Sequence, residues 1–180
     1  MNFQANTKNE LLGQLDMLIE QYQAIISDTP VDKMNVQLSN KWSIYQNIDH
    51  INKSNQLTSI GYKTPLVILR LTFGKAKASS GSTEDVIRLY QAELSNGAKS
   101  PKVFEAGKSN LKDNTELLKK YNAQMSALKS NIESWTEAEL DQYRMIHPIL
   151  GKLTAREMLS FTVYHQFHHM NTIQRILEQL

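Results

Sequence analysis

TAREMLSFTVYHQFHHMNTIQRILEQL, residues 154–180, decides the fold. Its first four residues have capping-box form: the Thr154 hydroxyl can accept from the backbone N–H of Glu157 while the Glu157 carboxylate reaches back to the N–H of Thr154. A helix therefore starts here, and Met158, Thr162, His165, His169, Thr172 and Ile176 follow at three- and four-residue steps along one face. Such a helix must bury that face against other helices. His165 and His169 lie four residues apart, so their imidazoles leave the same side, one above the other. His168 points about 60° from His165 and about 100° from His169, which allows a His165/His168 pair but aligns it less well.

Earlier segments read as the partners. Thr7-Lys8-Asn9-Glu10 is a second capping box, followed by Leu11, Leu15, Leu18, Tyr22 and Ile25 on one broad apolar face that Asp28-Thr29-Pro30 closes. A second helix starts near Trp42-Ser43 with Ile44, Ile48, Ile51 and Asn55 along a stripe, and His50 faces inward beside it, about 60° from Asn47. Leu111, Leu118, Met125 and Ile132 recur every seven residues, interleaved with Asn114, Tyr121, Leu128 and Trp135, the pattern of a long helix packed at a shallow angle. The spacing predicts an all-α, antiparallel four-helix bundle forming one domain over 1–180, with long helices near 7–27, 42–59, 109–135 and 154–179. Between them the pattern breaks at Gly61 and Pro65, and an apolar run leads from Leu66 to Phe73 into a loop over 74–83. A short helix over 84–94 is capped by Ser82 or Thr83. A helical turn after Thr136 leads to a bend at His147-Pro148-Ile149-Leu150-Gly151. No strand pattern is visible.

The chain has 180 residues and no cysteine, which excludes disulfides, thiolate-bound zinc, iron–sulfur clusters and a protein thiol nucleophile. A chain of this size buries a core without a structural metal, so a metal would serve function. The polar start and the lack of any long apolar run give the expectation of a soluble, cytoplasmic protein with no membrane partner. The net charge of +2 argues for no nucleic-acid partner, and no helix carries clustered Lys/Arg. Residues 50–112 are nevertheless basic; the scatter of these charges favours ordinary solvated surface over a lid that attracts an anionic ligand.

Three of the five histidines fall within His165–His169. With His50 facing inward from another helix, they offer a set of neutral imidazoles that suits zinc, nickel, copper or iron and leaves coordination positions open. His147, before a proline, stands outside the set, and His165 pairs best with His169 and less well aligned with His168.

Three stretches carry a resemblance. Residues 42–50, WSIYQNIDH, resemble the Trp-Ser…His helix of the DinB-like superfamily, which includes YfiT-type proteins and bacillithiol S-transferases. His147-Pro148-Ile149-Leu150-Gly151-Lys152-Leu153-Thr154…Glu157 resembles that group's bend before the last helix, and His165-x-x-His168-His169 its His-x-x-x-His end. Gln46 stands where many members have an acidic residue, Thr172 where glutamine is common, and 61–83 has no clear counterpart. The resemblance implies a four-helix bundle, often dimeric, with His50, His165 and His169 as ligands of a divalent transition metal, zinc or nickel foremost. It implies a small-molecule substrate and an exogenous nucleophile, either a low-molecular-weight thiol in an S-transferase or water in a hydrolase. Tyr45, Tyr164 and Glu157 are candidates to support the ligands from behind. The alternative is a non-catalytic bundle that binds a small ligand or partner, with a weak or vestigial metal site.

Overall fold

The computed structural model describes residues 4–38, 41–107 and 113–180. In chain order its helices are α1 (Lys8–Asp28), α2 (Val31–Met34), α3 (Ile44–Lys63), α4 (Leu66–Phe73), α5 (Thr83–Ser95), α6 (Thr115–Glu133), α7 (Glu137–Gln142) and α8 (Ala155–Leu177). A two-stranded hairpin, β1 (Arg144–His147) and β2 (Gly151–Thr154), joins α7 to α8. The helix expected from 109 begins at Thr115; Leu111 lies outside the described residues.

The long helices α1, α3, α6 and α8 form the bundle, with α3 and α1 each packed against both α6 and α8. Contacts fix the directions. Asn47 meets His169 and the Tyr62 hydroxyl donates to the carbonyl of Ala155, so α3 and α8 are antiparallel. Lys8 reaches the Trp135 carbonyl and Gln23 reaches Asn122, so α1 and α6 are antiparallel too. The other two neighbours run the same way: Asp49 and Ser59 of α3 meet Lys120 and Asn131 of α6 in rising order, and Asn6 and Tyr22 meet Arg156 and Gln166 of α8. The connection over 64–114 is long enough to permit such parallel neighbours.

Both predicted capping boxes form, Thr7 with Glu10 and Thr154 with Glu157. A third, Ser43 with Gln46, opens α3; here the Gln46 side chain accepts from the Ser43 backbone N–H at 3.0 Å, the job an acidic residue does in such a box. The apolar faces of α1 (Leu11, Leu15, Leu18, Tyr22, Ile26) and α6 (Tyr121, Met125, Leu128, Ile132) are buried within the chain, so they give the expected dimer no support.

Three local expectations are corrected. The helix expected to stop before Gly61 continues to Lys63, since Gly61 lets β1 come close: a Cβ there would lie 3.2 Å from Met145 Sδ. The run from Leu66 to Phe73 is a two-turn helix, α4, ended by Gly74 at φ 75°. The bend before α8 is the hairpin turn, with Gly151 at φ 74°. Neither strand alternates in sequence, since Met145 and Ile146 are adjacent and Leu153 is the one large apolar residue of its strand.

Candidate metal centre

Asn47, Ile48, His50 and Ile51 all turn into the bundle from α3, and His165, Gln166 and His169 do so from α8. Because these helices pack antiparallel, His50 comes to lie opposite the His165–His169 step. The ring centroids of His50 lie 5.0 Å from His165 and 4.7 Å from His169, and those of His165 and His169 are 4.7 Å apart. One nitrogen of each converges within 4.8 Å of the others. His50 Nε2 and His165 Nε2 are 3.0 Å apart, close to the separation of about 3.3 Å between two nitrogens bound tetrahedrally at roughly 2.0–2.1 Å.

The second nitrogens show which way the rings are charged and turned. His169 Nδ1 donates to Asn47 Oδ1 at 2.7 Å, and the Asn47 amide is itself oriented because its Nδ2 donates to the Ser43 carbonyl at 2.8 Å. His50 Nδ1 donates to the Phe104 carbonyl at 3.0 Å. A carbonyl oxygen only accepts, so both Nδ1 atoms carry hydrogen and both Nε2 atoms present lone pairs to the centre. Burial holds all three imidazoles below their ordinary pKa, His165 and His169 well below, so they are neutral ligands at pH 7. Donor type, convergence and fixed tautomers fit a divalent transition ion.

The Phe104 carbonyl comes from a short helical turn, Lys102–Phe104. It is tied to α3 next to His50: Lys53 donates to the Glu105 carbonyl at 2.6 Å and also pairs with Asp49 at 2.9 Å. Trp42 closes the other side, 5.0 Å from the His50 ring and stacked on His169 at 6.1 Å.

Other candidate residues stand elsewhere. His168 packs on Tyr90 and His169, and it is not one of the three converging rings. His147 Nδ1 accepts from the backbone N–H groups of Ile149 and Leu150 and so closes the hairpin turn, while burial pushes its pKa down to about 4. Glu157 caps α8 and accepts from the N–H of Gly81, and the Tyr164 hydroxyl accepts from Gln91. Asn47 and the Phe104 carbonyl back His169 and His50 instead of Tyr45, Tyr164 and Glu157. Asn47 had one signal in the sequence, its place one helical turn before His50; a backbone carbonyl has none.

The histidines form one end of a cavity of about 820 Å³. Ile68, Leu69 and Phe73 of α4, Tyr90 and Leu94 of α5, and Phe161 of α8 are among its walls. The part of the 61–83 segment from Gly61 to Phe73 is thus a wall of the cavity.

A model of the DinB superfamily matches residues 14–173. The chain belongs to the DinB superfamily. This DinB-superfamily chain is also similar in structure to YfiT from Bacillus subtilis, described as a probable metal-dependent hydrolase with an unusual four-helix bundle topology. The TM-score is 0.62 at 14% identity, covering 99% of this chain and 92% of that one. No curated protein sequence matches the chain. No helix among the described residues is long and apolar enough to cross a membrane.

Proposed function

We propose that the protein is a metal-dependent enzyme in which His50, His165 and His169 hold one divalent ion that activates a small nucleophile from solvent, water in the favoured reading. The convergence of the three rings, two of them in tautomers fixed by outward hydrogen bonds, carries this reading. YfiT's description as a probable metal-dependent hydrolase agrees with it. When bound, an ion with three neutral ligands would keep its double charge and, as a Lewis acid, lower the pKa of the nucleophile so that its proton could pass to solvent near neutral pH. The side chains do the rest. Asn47 and the Phe104 carbonyl hold the rings in place, Trp42 shields them, and the apolar cavity surrounds the reacting group. No Asp or Glu lines the cavity among the described residues, so no carboxylate is placed to serve as general base.

The second reading, an exogenous thiol in an S-transferase, draws on the superfamily resemblance. Among the described residues the cavity offers no Lys or Arg to hold the acid groups of an anionic thiol, which favours water. The test is metal analysis of protein purified without a histidine tag, followed by turnover of uncharged esters and amides with and without added thiol. About one divalent ion per chain, lost in His165→Ala and His169→Ala, and thiol-independent hydrolysis are expected. Wild-type protein that takes up no stoichiometric zinc or nickel would refute the enzyme reading; turnover only with thiol would replace water by the thiol.

A further inference from the structure

The cavity differs from the rest of the molecule in its charge. Asp, Glu, Lys and Arg make up 21% of the chain, yet among the described residues none that lines the cavity is one of them. Lys53, one turn after His50 on α3, is engaged by Asp49 and the Glu105 carbonyl. The polar groups that do line the cavity are uncharged. They include the hydroxyls of Ser54, Thr58 and Thr72, and the His147 ring, whose Nδ1 is committed to the hairpin turn.

The apolar lining also continues outward. Leu57, Ile60, Ile68, Val103 and Ile146 all line the cavity and are 44–65% exposed at its mouth. Most of the large apolar side chains that the described residues expose stand at this one rim. Leaving them in water has a cost that an apolar ligand removes. An ionic body inside would lose its hydration with no counter-charge to replace it.

We infer that the cavity takes an uncharged substrate with an extended apolar body, its reacting group at the histidines and its far end among the rim residues. This deepens the metal-dependent reading, which governs only events at the histidine end; recognition of the body is independent of the ion. A volume of about 820 Å³ lies within the range of roughly 300–1,000 Å³ that encloses ligands of ordinary organic size.

Trp42 lines the cavity, whereas the other tryptophan, Trp135, is buried with its indole N–H on the Tyr62 carbonyl. Trp42 emission therefore reports on occupancy. Straight-chain alkanols from butanol to decanol would be titrated into zinc-loaded and chelator-treated protein, by fluorescence and by calorimetry. Affinity should rise about three- to fourfold per methylene in both forms. Decane-1,10-diol should bind at least tenfold more tightly than decane-1,10-diammonium, which cannot enter without carrying one charge inward. Ile68→Glu, at a half-exposed position on α4, should weaken the diol at least tenfold with zinc content unchanged.

An affinity independent of chain length, or a diammonium bound within threefold of the diol, would overturn the inference. So would a dimer whose mouth opens to alkanols only on dissociation, because the rim would then be covered by a second copy. Zinc content separates the two failures: absent zinc with an intact alkanol series defeats the metal reading alone, and bound zinc with a flat series defeats the substrate class alone.

Discussion

Removing the Asn47 side chain tests whether the ring behind a nitrogen matters as much as the nitrogen. In Asn47→Ala the His169 Nδ1–H loses its 2.7 Å acceptor, and His169 is then free to turn or to take its hydrogen on the nitrogen that faces the centre. Loss of such an outer partner typically lowers metal affinity 10- to 100-fold, or about 1.4–2.7 kcal/mol of binding. Asn47 is also buried and donates to the Ser43 carbonyl, so folding stability should fall by roughly 1–3 kcal/mol as well. The two effects are measured separately: zinc affinity by competition with a chromophoric chelator at pH 7.5, and stability by thermal melts of chelator-treated protein. Asn47→Asp keeps an acceptor at the same place and should bind zinc at least as tightly as the wild type. An Asn47→Ala protein that melts as a folded bundle yet binds zinc within twofold of the wild type would refute this account of the centre.

Stability should stay level above pH 6.5 and fall from there toward about pH 4. His147 is held neutral in the fold to about 4 but titrates near 6.5 when unfolded, so acid favours the unfolded chain across that window. His50, His165 and His169, also held below their ordinary pKa, add to the fall, so His147→Asn should lessen the slope of the melting temperature there without abolishing it; an unchanged slope would be contrary. Arg156, buried between Asp141, Glu137 and the Asn6 carbonyl, ties α7 and the start of the chain to α8, and Arg156→Ala should cost about 2–4 kcal/mol in urea unfolding. A loss under about 0.5 kcal/mol would show those pairs to be surface decoration. Gly151→Val, forcing a β-branched residue to φ 74°, should cost about 1–2 kcal/mol without changing zinc content; a neutral result would mean that the turn relaxes.

What could be read from the chain was whatever leaves a local signature. Thr7 with Glu10 and Thr154 with Glu157 mark their helix starts because capping is a contact across three residues, and the four-residue step from His165 to His169 puts both rings on one face before anything is known of their partners. The hairpin leaves no such signature because neither Arg144–His147 nor Gly151–Thr154 alternates apolar with polar residues, and α4 leaves none because an eight-residue apolar run reads equally as strand, helix or core. Parallel packing of α3 on α6 follows from a long connection, and spacing within a helix says nothing about the direction of its neighbour. The cavity was hidden for a similar reason. Its walls come from separate elements, and in each of them Ile68, Phe104 or Phe161 looks like an ordinary core residue.

The order of the helices along the chain bears on how the protein is made. α8 is the surface on which α1, α3, α5 and α7 all close, and Tyr22 and His50 wait for partners 144 and 115 residues downstream. On a ribosome adding residues at about 5–20 per second, the apolar faces of α1 and α3 emerge well before α8, which covers part of each. The contacts of α1 and α3 with α8 can therefore close only at the end of this stretch, late and slowly. A nascent chain arrested before residue 154 should be held by chaperones and be open to proteases, and should acquire protection only once α8 has cleared the exit tunnel.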